Sequence, residues 1–158
     1  MAKPVIYIET SVIGYYTART SRDVIFAGHQ AVTRQWWKAD LPKFKGVISQ
    51  VVLDEIAAGD SEAAAERLAA VKSFDVLDLA PQVVSLARQY FDEIALPESC
   101  RADSLHLALA TVHGVDYLAS WNCRHIASAR VRRIVESMND RRKLATPLIC
   151  TPEELLEF

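Results

Sequence analysis

Short apolar runs rich in β-branched residues recur along the chain, and longer stretches of helical periodicity separate them. The runs Val5–Glu9, Gly46–Ser49, Val76–Leu79, Tyr117–Ser120 and Leu148–Cys150 predict strands. Helices are predicted near Val24–Lys38, Gln50–Ala58, Ser61–Val71, Gln82–Ile94, Ala102–Val112 and Ile126–Met138. A short tail helix is expected from Pro152, with Thr151 as its cap. Strands that alternate with helices imply a mostly parallel five-stranded sheet covered on both faces. In such open α/β folds the working crevice lies beyond the carboxyl ends of the strands. No repeat, low-complexity tract or long linker divides the chain, so residues 1–158 read as a single domain.

Several polar residues fall at that predicted edge. The first strand, "VIYIE", ends on Glu9 where a turn residue would be ordinary, and Thr10 and Ser11 follow. The second strand leads into "SQVVLDEIAAG", whose apolar side is Val52, Leu53 and Ile56. At about 100° per residue, Asp54 points away from that side, while Glu55 falls on its margin. "YLAS" runs straight into Trp121 and Asn122. The helix "RADSLHLALATV" has almost no polar face and should be buried nearly all round, yet Asp103 lies in its first turn. An acid there gains roughly 0.3–1 kcal/mol from the helix dipole. That is small against the cost of burying an unpaired carboxylate. His106, one turn further on, fits a hydrogen-bonded core or rim histidine better than a metal ligand.

Acids that converge at one sheet edge repel one another unless a cation neutralises them. Hard oxygen donors, with no partnering Cys or closely spaced His pair, favour Mg²⁺ or Mn²⁺ over zinc. The three cysteines, Cys100, Cys123 and Cys150, are widely separated and form no Cys-x-x-Cys pair. A reduced, cytoplasmic protein is therefore expected, and nothing reaches transmembrane length. Net charge is −2, so any nucleic-acid partner must be met by a local patch. Arg124, Arg130, Arg132 and Arg133, then Arg141, Arg142 and Lys143, form either such a patch or an ordinary solvated face. Trp36 and Trp37 are adjacent on one helix, so they cannot both face the same core.

The blocks "YIETSVIGYY", "VISQVVLDEI", "RADSLHLALA" and "YLASWNCRHI" occur in the order and approximate spacing of the PIN-domain ribonucleases. The chain resembles most the VapC-like toxins of type II toxin–antitoxin systems, over nearly its whole length. The resemblance implies a PIN-like (flavodoxin-like) three-layer α/β/α fold with an acidic centre that binds Mg²⁺ (or Mn²⁺) and hydrolyses RNA phosphodiesters. Glu9, Glu55 and Asp103 match the first three acids of that centre, and Asn122 stands where many members have a fourth acid. Glu9 itself is a glutamate where aspartate is commoner. The expected division of labour is that Glu9 and Asp103 hold the metal, Asn122 acts as a neutral oxygen ligand or water anchor, and Glu55 holds a metal-bound water or helps deprotonate it. Thr10, Ser11 and Ser120 support these ligands. Arg124 and His125 are placed to contact the RNA backbone, although His125 equally suits a cap for the next helix. Arg19 and Arg22 are further candidates for backbone contact. A small antitoxin partner and a homodimer are also implied.

Two other readings remain. A PIN-like domain with Glu9 and Asn122 in its centre is also compatible with binding RNA or a protein without cutting. A nucleotide-binding module or receiver lacks its signature here: "ETSVIG" supplies no glycine-rich phosphate loop, and "VIYIE" supplies only one acid.

Overall fold

The structure is a computed structural model that describes residues 2–158. Its strands are β1 (Val5–Ile8), β2 (Lys45–Ser49), β3 (Asp75–Leu77), β4 (Tyr117–Ala119) and β5 (Leu148–Cys150). All neighbours are parallel, in the order β3-β2-β1-β4-β5. The strand expectations hold to within a residue or two at each end. Ile6, Tyr7 and Ile8 of the central β1 are fully buried, as a strand covered on both faces must be. The two edge strands carry exposed apolar residues, Val76 and Leu148, and each is only three residues long, which limits pairing with other chains.

The helices are α1 (Thr10–Thr17), α2 (Val24–Ala39), α3 (Gln50–Ile56), α4 (Ser61–Ala70), α5 (Pro81–Ile94), α6 (Arg101–Val112) and α7 (Ala129–Arg141). From β1 the chain winds outward through β2 to β3, then returns past β1 to β4 and β5. Crossovers of one hand that run in opposite directions place α1–α4 and α5–α7 on opposite faces. Contacts follow that division: α1 packs on α2, α3 and α4, whereas α5 packs on α6 and α7.

Two local expectations are corrected. Helix α1 has no counterpart in the predicted elements, because "TSVIGYYT" is rich in β-branched and aromatic residues. It forms because Glu9 caps it, accepting from the Ser11 amide, and because Val12 and Ile13 are buried. Helix α7 starts at Ala129 with Ser128 as its cap, so His125 is not a helix cap. The expected tail helix is present as a 3₁₀ helix from Pro152 to Leu155, with Thr151 as its cap and Glu154 completing a reciprocal capping box. Trp36 is wholly buried, while Trp37 stacks on Tyr16 with ring centroids 4.1 Å apart.

Candidate active site

The strand order reverses at β1, so the crevice between the carboxyl ends of β1 and β4 is the switch point of the sheet. Glu9 stands there, directly after β1, and is only 5% exposed. Two hydroxyls converge on its Oε1: Ser11 Oγ at 2.5 Å and Ser120 Oγ at 2.6 Å, and the Ser11 amide donates to Oε2 at 3.1 Å. Each hydroxyl also accepts a backbone N–H from the loop after β4, Ser11 from Trp121 and Ser120 from Asn122. The ends of β1 and β4 are thus tied together through this one carboxylate.

Glu55, on α3, faces the same crevice. Its Oε1 accepts from Thr10 Oγ1 at 2.7 Å and lies 2.6 Å from His106 Nε2. His106 is fully buried on α6, and its Nδ1 lies 2.7 Å from the Tyr7 hydroxyl, which in turn lies 2.7 Å from Ser49 Oγ. A continuous polar chain therefore runs from β2 through β1 and α6 to Glu55. Burial by itself lowers the His106 pKa, but the bond to Glu55 and the fields of Glu9, Glu55 and Asp103 outweigh it and raise it. At Glu55 burial acts to raise the pKa, and the His106 bond, the His106 charge and the Thr10 bond together bring it below the ordinary carboxylate value. The Tyr7 phenol is pushed up by burial.

Asp103 lies in the first turn of α6, with its side chain 15% exposed. His125 Nδ1 is 3.1 Å away. Burial raises the Asp103 pKa despite the opposing effects of Asn122, His106 and His125. Asn122 Oδ1 accepts the backbone N–H of His125 at 3.0 Å, which shapes the loop. Arg124, Arg19 and Arg22 are exposed. The basic residues further along are mostly engaged: Arg130 on the Ile94 carbonyl, Arg132 on Glu154 and Arg142 on Gln89.

Among the described residues, no lysine or arginine pairs with Glu9, Glu55 or Asp103. Their protein partners are hydroxyls, amides and two histidines. A set of hard oxygen donors, one of them a deeply buried glutamate held by neutral groups alone, fits a divalent cation of the Mg²⁺ or Mn²⁺ type. Tyr7, Ser49 and the bond from His106 to Glu55 escaped the sequence reading. The signal for the last was present, since His106 follows Asp103 by three residues on one helix and shares its face.

No family model matches the chain, and no curated protein matches it. Among solved structures, a chain from the crystal structure of VapBC2 from Rickettsia felis, bound to a DNA fragment from their promoter, is similar to it. The TM-score is 0.53 at 12% identity, over 93% of this chain and 98% of that one. On its parallel strand order and this full-length match, the chain has a PIN-like α/β/α fold.

Proposed function

We propose that the protein is a metal-dependent endoribonuclease, the toxin of a toxin–antitoxin pair. The reading is supported by three acids, Glu9, Glu55 and Asp103, whose charges all act on the buried His106, and by the absence of a lysine or arginine partner for any of them among the described residues. Glu9 and Asp103 would hold Mg²⁺ or Mn²⁺, and Asn122 would add a neutral oxygen or anchor a water. The bound ion would polarise the scissile phosphate and lower the pKa of the attacking water. Glu55, oriented by Thr10 and His106, accepts the proton of that water. Glu55 is ionised at neutral pH, and its lowered pKa makes it a weaker base than a free carboxylate. Ser11 and Ser120 fix the Glu9 carboxylate, so that it does not reorganise as charge develops on the phosphate. In-line attack leaves a 5′-phosphate and a 3′-hydroxyl. Arg19, Arg22 and Arg124 contribute backbone contacts from the rim.

An antitoxin partner and a homodimer belong to the same reading. It is supported by the likeness to VapBC2 and by the start of α2, where Val24, Ile25 and Phe26 are 85%, 69% and 49% exposed.

The test is incubation of purified protein with structured and single-stranded RNAs in Mg²⁺, Mn²⁺ or chelator. Cleavage that needs the metal and falls at least about a thousandfold in Asp103→Asn, roughly 4 kcal/mol of transition-state stabilisation, supports the enzyme. Tight RNA binding without cleavage under any metal would instead identify a PIN-like binding domain.

A further inference from the structure

Asp103 also faces two donors, Cys100 and His125, that take no part in the carboxylate centre. Cys100 Sγ, an Asp103 carboxylate oxygen and a His125 ring nitrogen lie within 4.8 Å of one another. Cys100 ends the 3₁₀ turn Glu98–Cys100, and Asp103 follows one turn later at the start of α6. His125 arrives from the loop after β4. Both frames are fixed by backbone bonds: the Cys100 amide donates to the Pro97 carbonyl at 2.8 Å, and the His125 amide to Asn122 Oδ1 at 3.0 Å. All three residues are partly buried.

The donor chemistry differs from that of the carboxylate centre. A thiol, an imidazole and a carboxylate are poor company for Mg²⁺ but suit a thiophilic ion such as Zn²⁺. Bonds of about 2.0–2.3 Å in a tetrahedral site place donors roughly 3.3–3.8 Å apart. Asp103 and His125 are already 3.1 Å apart. The whole set therefore closes with side-chain shifts of about 1 Å.

We propose that Cys100, Asp103 and His125 form a three-ligand site for a thiophilic divalent cation of the Zn²⁺ class, with a fourth position open to water, and that filling it withdraws Asp103 from the carboxylate centre. The second clause rests on the role given to Asp103 under the ribonuclease reading. Binding replaces the Cys100 thiol proton and any proton on the ligating His125 nitrogen, and releases them to solvent. The protein would then be silenced by zinc at one aspartate shared between two centres.

Cobalt reports on such a site directly, because thiolate ligation gives Co²⁺ an intense near-ultraviolet charge-transfer band. Titration of the metal-free protein with Co²⁺ should give that band, saturating at equimolar ion, and Zn²⁺ should abolish it. The band should vanish in Cys100→Ser and Cys100→Ala, weaken at least about tenfold in affinity in His125→Gln, and persist in Cys123→Ser. The remaining cysteine, Cys150, is buried, and burial pushes its thiol up to about 12. No band in the folded wild type, or a band that survives in both Cys100 variants, overturns the site.

The coupling is read without activity, by Mn²⁺ binding followed by electron paramagnetic resonance. Zn²⁺ should weaken Mn²⁺ binding at least about tenfold in wild type and not in Cys100→Ser. Equal Mn²⁺ affinity with and without Zn²⁺ overturns the sharing of Asp103. If Mn²⁺ does not bind at all, the carboxylate centre and the sharing fall together, and a cobalt band still establishes the cysteine site.

Discussion

His106 is buried completely, and both of its ring nitrogens are engaged, by Glu55 and by Tyr7. Its raised pKa gives a contribution to stability that is full below the ordinary imidazole value of about 6.5 and is lost as pH rises through the higher folded value. Glu55 has a lowered pKa, so its contribution is present above about 4.3 and is lost as pH falls through the lower folded value. In the metal-free protein the pair should therefore stabilise most between about pH 4.3 and 6.5. Thermal melts across that range should show His106→Gln losing about 1–3 kcal/mol inside the window and less at either side. Glu9 depends instead on neutral donors. Ser11→Ala should weaken Mn²⁺ binding by about 10–100-fold in a calorimetric titration, because the carboxylate loses its shortest hydroxyl contact.

At the scale of elements, the α5–α6–α7 layer is pinned by one polar knot. The Tyr90 hydroxyl of α5 bonds Thr111 of α6 and Asn139 of α7, and Asn139 Nδ2 donates to Thr146. Tyr90→Phe should cost about 1–3 kcal/mol in denaturant unfolding, since Asn139 is left buried with one acceptor unmet. The end of α5 points the other way. Ala95 holds φ at 60° so that its own amide and that of Leu96 can reach back to the last carbonyls of the helix. A side chain is strained there, and Ala95→Gly should stabilise by about 0.5–1 kcal/mol in the same measurement. The elements themselves were largely legible, because buried strands and amphipathic helices differ in hydrophobic period. Helix α1 was not, since its β-branched and aromatic residues carry no helical period and it is held by a cap and by packing.

For the whole molecule, Glu9, Glu55 and Asp103 come from the end of β1, α3 and α6, so a cation that bound all three would join both halves of the sheet. Mn²⁺ at about a hundred times its dissociation constant should add about 2.7 kcal/mol. For a chain of this size that is about 5–10 °C in melting temperature. The shift should be absent in Asp103→Asn, and a scanning calorimeter decides it.

The sequence by itself determined the parallel α/β order and which end of the sheet Glu9 would occupy, because strand ends and helix starts are local features of hydrophobic pattern. It also marked Asp103 as costly, through a carboxylate on a helix with no polar face. Only the tertiary structure decided what surrounds each acid. The Tyr7–His106–Glu55 chain joins β1, α6 and α3, and the approach of His125 to Cys100 joins the loop after β4 to the start of α6. Those contacts depend on how layers pack across the sheet, a separation in space that no local period encodes. For that reason a sequence with no zinc spacing along the chain acquires a cysteine, an aspartate and a histidine side by side.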